Sequence, residues 1–234
     1  VDLYLDSLDV EMIERYAPFI RGVTSTPTFA QRERLEDYGV DLFKQILGVL
    51  GSGKTLHISA PFSTVKEIVD YLKFVTDRIP QLAEKRIVFK LPCTETGLRV
   101  ARRYGRMYDI GLHMIYTVGQ VILANETPAK WHYLLVGRGI EYGYDMNRVA
   151  ALSRRAMLAS IRSADMVEQF VDLNIPMTVP PQVLEALTEC KHTRDGQTKF
   201  IDDFLAGNRD GFTRVDCTNV CDLEVDTSND AYWI

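Results

Sequence analysis

Arg86-Ile87-Val88-Phe89-Lys90-Leu91-Pro92-Cys93-Thr94-Glu95-Thr96-Gly97-Leu98 joins a short apolar run to the start of a helix. The run from Ile87 to Leu91, closed by Pro92, predicts a strand buried on both faces, as strands of a parallel sheet are. Lys90 interrupts it. An ammonium inside an apolar strand costs several kcal/mol unless it is paired or loses its proton. Two readings follow from the residues alone. Lys90 is a snorkelling or ion-paired structural lysine, or it is an amine of depressed pKa that attacks carbonyls. Its place at the end of the strand favours the second, because a (β/α)8 barrel gathers its chemistry at the C-terminal strand ends. There Thr94-Glu95-Thr96-Gly97 supplies the loop and the next helix start.

The same alternation extends in both directions. Leu3-Tyr4-Leu5-Asp6-Ser7 predicts strand one, with Asp6 at the barrel top and Asp9 capping the helix that follows. Strand two is expected over 20–26, stopped by Pro27, then a helical region over 29–50 with a break at Gly39. Strand three is expected over 55–60, followed by a helix capped by Ser63 that runs to about residue 82 and buries Val65, Ile68, Val69, Leu72 and Val75. After the Lys90 strand come a helix over 94–107, strand five over 109–116 and a helix over 118–125. Strand six is expected over 131–138, ending in Arg138, with its helix over 146–155. Strand seven over 156–161 and strand eight over 175–180 precede helices over 164–173 and 181–190. Eight such alternations predict an α/β fold, a single (β/α)8 TIM barrel over 1–206. Its C-terminal helix includes Lys199 to Leu205, and the polar segment 207–234 is expected as an extended or partner-bound tail.

Composition narrows the function classes. With 46 % hydrophobic and 25 % charged residues the chain reads as a soluble globular protein. No 18-residue apolar stretch predicts a membrane span, and the opening Val1-Asp2-Leu3 lacks a basic signal start, so the cytoplasm is expected. A net charge of −5 argues against a general nucleic-acid surface but leaves room for a local phosphate pocket. Four cysteines, Cys93, Cys190, Cys217 and Cys221, are too scattered for a disulfide framework. Cys217-x-x-x-Cys221 has half the ligands of a metal site and no second pair nearby, so no metal is expected. Gly48-Val49-Leu50-Gly51-Ser52-Gly53-Lys54-Thr55 satisfies the P-loop pattern, but a phosphate cradle needs a strand before it and a helix after it. Here the order is reversed, which predicts a glycine-rich turn at the bottom of the barrel.

Several segments carry a resemblance when taken in order: Leu3-Tyr4-Leu5-Asp6, Gly22-Val23-Thr24-Ser25-Thr26-Pro27, the Lys90 stretch through Gly97-Leu98, Val136-Gly137-Arg138 and Ala159-Ser160-Ile161-Arg162. Over about residues 1–205 the chain resembles the small transaldolases, the subfamily that includes the fructose-6-phosphate aldolases. The resemblance implies a class I aldolase on a (β/α)8 barrel, a homo-oligomer that needs no metal or cofactor. Matched position by position, Lys90 takes the place of the Schiff-base lysine and Asp6 that of the proton-handling aspartate. Arg138 and Ser160 take phosphate-binding places, Arg162 a supporting basic place, and Thr24 lies among the substrate-facing positions. The substrate it implies is a phosphorylated sugar.

Four positions depart from the family pattern. Thr26 stands where an asparagine binds substrate hydroxyls, and Ser59 where a glutamate or glutamine of strand three holds the catalytic water. His113 stands for a threonine of strand five, and Leu135 for the tyrosine that some aldolases carry on strand six. Serine is no carboxylate base and leucine has no proton to give, so proton transfer must run differently. His113 is the expected substitute, although a lone histidine beside an apolar strand also fits a structural role. His57 would face the barrel instead if the strand register were shifted by one. The residues thus point to a transaldolase or aldolase with an altered relay, or to a barrel that binds sugar phosphates without turning them over.

Overall fold

Eight short strands pair in parallel in chain order, and the last returns to the first: β1 (Leu3–Asp6), β2 (Gly22–Thr24), β3 (Thr55–Ser59), β4 (Ile87–Pro92), β5 (Ile110–Ile115), β6 (Trp131–Leu135), β7 (Ala156–Ala159) and β8 (Met177–Val179). The computed structural model describes residues 1–32, 38–79 and 86–207. Because side chains alternate along a strand, each β-strand feeds two cores. Leu5, Ile58, Phe89, Leu112, Leu134 and Leu158 pack outward under the helices, whereas Tyr4, Tyr133 and Met157, with Trp131 against them, fill the inside of the barrel. The closed (β/α)8 barrel expected from the alternation is the architecture found. It lies in a compact unit, Val1–Thr188, and a second unit begins at Glu189.

The connections explain where the strands stop. Asp9 accepts from the amides of Glu11 and Met12 and starts α1 (Val10–Tyr16), as its position predicts. The helical region expected over 29–50 comprises α2 (Pro27–Arg32) and α3 (Val40–Leu50), with the expected break at Gly39, the N-cap of the latter; residues 33–37 lie outside the described ones. Thr64, not Ser63, caps α4 (Val65–Arg78), because only Thr64 closes a reciprocal box with Glu67. That shift leaves Val65 exposed rather than buried. α5 (Glu95–Tyr104), capped by Thr94, and α6 (Val118–Asn125), capped by Thr117, follow β4 and β5.

The largest departure is at strand six. β6 ends at Leu135 and α7 (Val136–Glu141) begins at once, so Arg138 sits in the first turn of a helix rather than on a strand. The apolar run 133–136 hides this boundary. Gly137 permits it: a Cβ there would lie 2.1 Å from the carbonyl oxygen of Ser160, so only glycine lets α7 abut the end of β7. α8 (Met146–Leu152) then leads to β7, which stops at Ala159 because Ser160 takes a left-handed φ of 62°. α9 (Ala164–Phe170) ends in a 3₁₀ turn closed by left-handed Asn174, and α10 (Pro181–Ala186) completes the barrel. In the second unit, α11 (Lys191–Gly207) is a 17-residue helix, longer than the stretch around Lys199 to Leu205. The expected tail beyond it, with Cys217 and Cys221, lies outside the described residues.

The glycine-rich turn follows α3 and precedes β3, with left-handed Gly51 and Gly53 and with Lys54 donating to the carbonyl of Ala17. It therefore presents no helix N-terminus to a phosphate. Among the described residues no helix is long and apolar enough to cross a membrane.

Two histidines, His57 and His132, are buried in or against the barrel and His113 is half-buried, and each is held below its ordinary pKa chiefly by loss of hydration. His57 and His113 lie well below, and His132, whose Nδ1 is 3.0 Å from Ser153 Oγ, lies at about 4. The unfolded chain therefore takes up these protons first. Stability is present above about pH 6.5 and declines as pH falls toward 4, with His132 alone contributing on the order of 2 kcal/mol to that loss. Thermal melts should show a midpoint that falls below pH 6.5, with a shallower fall in His132→Gln; a midpoint constant from pH 7 to 4.5 contradicts this.

Candidate active site

The C-terminal strand ends open into a cavity of about 610 Å³. Lys90, Asp6, His113, Thr24, Thr26, Ser59, Arg138, Ser160 and Arg162 all line it, so the nine candidate catalytic and substrate-binding residues meet at one site. Their convergence follows from register. Ser59 pairs with Lys90 across β3 and β4, and Asp6 with Thr24 across β1 and β2, so alternate residues of neighbouring strands share the interior.

Lys90 is 3 % exposed. Burial draws its pKa down to about 8, against the opposing pull of the Asp6 carboxylate. At pH 7.5 roughly a quarter of such an amine is uncharged, enough to add to a carbonyl. Asp6 is tethered in turn. Thr24 donates to its Oδ1 at 2.5 Å, and the Thr178 hydroxyl lies 2.6 Å from that of Thr24. Since the carboxylate only accepts, Thr24 spends its proton on Asp6 and receives one from Thr178. Thr178, on β8, lines the cavity and was not singled out, although its alternation within the strand marked it as inward.

His113 and Met114 both reach the cavity, which a regular strand does not allow. A bulge in β5 between Leu112 and Ile115 provides the extra residue, and Met114 takes a φ of 61° to fill it. The His113 imidazole is neutral near pH 7: burial is the larger cause, and the charges of Lys90 and Arg138 add to it. It can therefore accept a proton but carries none to donate as an imidazolium. His57 faces the barrel as well, on the same side of β3 as Ser59 two residues away, so no shift of register is needed for it and it does not exclude His113. His57 lies deeper, with Nδ1 2.6 Å from the Tyr133 hydroxyl and Nε2 2.7 Å from Thr55 Oγ1.

Ser59 is held by its backbone: its amide donates to the Tyr38 hydroxyl at 2.8 Å, and its own hydroxyl donates to the Ser25 carbonyl at 3.4 Å. Burial pushes the Tyr38 phenol up to about 12, so it remains a neutral brace. Cys93 is buried and its thiol is raised to about 11, which suits packing and not nucleophilic attack.

Arg138 from α7 and Ser160 from the end of β7 come together through the Gly137 contact. Arg162 is engaged by Glu141 through both terminal guanidinium nitrogens, Nη2 at 3.1 Å, so it braces the far end of the helix that carries Arg138. The cavity is thus lined by an amine, a carboxylate, an arginine and a hydroxyl, a set suited to a carbonyl compound bearing an anionic group.

Fold and site together define a (β/α)8 barrel with a buried lysine at its mouth. No family model matches the chain. Over most of its length it is similar to curated proteins named probable transaldolase: 25 % identical to that of Thermoplasma acidophilum, covering 89 % of this chain and 97 % of that protein, and 25 % identical to that of Carboxydothermus hydrogenoformans, covering 89 % and 100 %. A probable fructose-6-phosphate aldolase of Streptococcus pneumoniae is 27 % identical over 64 % of this chain and 66 % of its own. Among solved structures, the orotidine 5'-monophosphate decarboxylase of Metallosphaera sedula superposes with a TM-score of 0.52 at 10 % identity, over 84 % of this chain and 95 % of that one, a likeness of fold alone.

Because Lys90 has a lower pKa folded than unfolded, its burial opposes folding in full below about pH 8 and by a diminishing amount up to 10.5. Lys90→Met keeps the volume and removes the charge, so it should stabilise the protein at pH 7 by on the order of 2–3 kcal/mol. Urea unfolding measures this, and the gain should shrink as pH rises from 8 to 10.5. A destabilised variant would mean that the amine is fully paired in the folded state.

Proposed function

We propose that the protein is a class I aldolase or transaldolase that acts on a phosphorylated ketose through a Schiff base on Lys90. The observation that carries this reading is the buried amine of lowered pKa that shares a cavity with Asp6 and Arg138. Similarity to probable transaldolases and a probable fructose-6-phosphate aldolase points the same way.

Neutral Lys90 adds to the ketose carbonyl, and loss of water gives an iminium cation. Asp6 takes the proton of the C4 hydroxyl, the bond between C3 and C4 breaks, and its electron pair moves onto the iminium to leave a three-carbon enamine. The new aldehyde departs. Addition of the enamine to another aldehyde is transfer; protonation and hydrolysis complete simple cleavage. The four departures at Thr26, Ser59, His113 and Leu135 alter the relay rather than the attacking group. His113, neutral at working pH, receives and returns the protons that a carboxylate-bound water otherwise handles. Arg138 and Ser160 hold the phosphate, and Arg162 keeps α7 in place through Glu141. The resemblance extends to a homo-oligomer that needs no metal, and the domain assigned to 1–206 takes in the barrel and the C-terminal helix.

Borohydride reduction in the presence of fructose 6-phosphate or sedoheptulose 7-phosphate should leave a covalent adduct on Lys90, seen by peptide mass spectrometry and absent in Lys90→Met. Tight ketose-phosphate binding with no adduct in the wild type would replace this reading with that of a non-catalytic sugar-phosphate-binding barrel. Arg138→Ala should weaken a phosphorylated ketose by about 1.5–3 kcal/mol, with little change for dihydroxyacetone. Equal losses for both ligands would remove Arg138 from the phosphate site.

A further inference from the structure

Directly beneath the amine lies a group that none of the above uses. The Tyr133 ring, 1 % exposed, comes from β6 and reaches across the interior to β3, where its hydroxyl sits 2.6 Å from His57 Nδ1. His57 is anchored at its other nitrogen by Thr55 Oγ1, 2.7 Å away. The ring crosses at Gly111, where a Cβ would come within 2.3 Å of Tyr133 Cε2. Clamped at its tip and admitted by a glycine, it cannot swing aside. Lys90 Nζ stands over its face, 5.5 Å from the centroid, within the range of a cation–π contact. His113 meets the ring edge-on at 5.8 Å between centroids.

We propose that Tyr133 is a positioning residue for Lys90, its clamped ring face forming an electron-rich floor that stabilises positive charge on the lysine nitrogen. The inference rests on the proposed Schiff-base chemistry for one of its two consequences. A neutral amine, a ketone and one proton give an iminium cation and water. The cation so formed keeps its charge at every pH at which it exists and sits in a site with little water to solvate it. The ring quadrupole favours that cation over the neutral amine and ketone, and so shifts the equilibrium toward the adduct. For the free amine the same face favours the ammonium. The charged and titratable groups around Lys90 are Asp6 from β1, His57 from β3, His113 from β5, Tyr133 from β6 and Arg138 from α7. Asp6 is the anion that works in the same direction as the ring. Both histidines are neutral near pH 7, so neither opposes the ring with a charge of its own.

Replacement of Tyr133 by phenylalanine and then by mono-, di- and trifluorophenylalanine withdraws density from the ring face at nearly constant volume, which a purely structural role does not register. Fluorotyrosines at the same position, which keep the hydroxyl, form a parallel series should the loss of the His57 bond unfold the protein. Two readouts apply. The first is the pH midpoint for acetylation of Lys90 by acetic anhydride, followed by peptide mass spectrometry, which needs no substrate. It should fall stepwise with fluorination. The second is the concentration of dihydroxyacetone that half-saturates cyanoborohydride trapping, which should rise about five- to tenfold across the series. If wild-type Lys90 is never trapped but the acetylation midpoint still falls, the Schiff-base reading fails and the floor stands. An acetylation midpoint that does not move with fluorination overturns the inference.

Discussion

The site depends on how little water reaches one nitrogen. A closed eight-stranded cylinder holds Lys90 at 3 % exposure, and loss of hydration is what brings its pKa to about 8. The nearest opposing influence is Asp6, and its strength depends on where the carboxylate points. Thr24 donates to Oδ1, and the Thr178 hydroxyl backs Thr24, so hydroxyls from β2 and β8 orient the carboxylate while its charge still acts on Lys90.

Charge elsewhere in the cavity follows the same economy. Lys90 and Arg138 both act on His113, so the cavity favours anions and neutral imidazole. Arg162 would add a third positive group, yet Glu141 engages both of its guanidinium nitrogens. The pair leaves Arg138 to dominate the attraction of an anion while it braces the short helix on which Arg138 rides. The arginine and hydroxyl brought in by α7 and Ser160 and the amine governed by burial and Asp6 are therefore separate features of one cavity.

The barrel was legible because eight apolar runs alternate with helix caps, and because inward positions recur every second residue. Their places at strand ends marked Asp6 and Lys90, the resemblance supplied Ser59 and His113, and all four line one cavity. What escaped was backbone that departs from parity. The bulge at Met114 turns an outward residue inward, and no residue type in Leu112-His113-Met114-Ile115 announces it. The end of β6 was read three residues late because Val136 continues the apolar run, and the contact that stops it, Gly137 on Ser160, is 23 residues away in sequence. Thr64 displaced Ser63 as a cap for a local reason, the reach of Glu67, which the Thr-x-x-Glu spacing did carry.

Tyr133 shows how one large side chain orders those around it. A ring laid across the axis occupies space that two inward residues of opposing strands would otherwise fill, which requires glycine at 111. It also raises the floor of the cavity to the level of Lys90, so the side chains above it must be short if a sugar is to fit. Ser59, Thr24, Thr178, Ala159 and Ser160 meet that requirement, and Leu135, next above Tyr133 on its own strand, closes the wall with an apolar surface. A carboxylate or amide in place of Ser59 would project into a cavity already shortened from below. On this account the small residue at 59 and the leucine at 135 fit the ring beneath them, and the bulge in β5 delivers His113 at the level the raised floor leaves open.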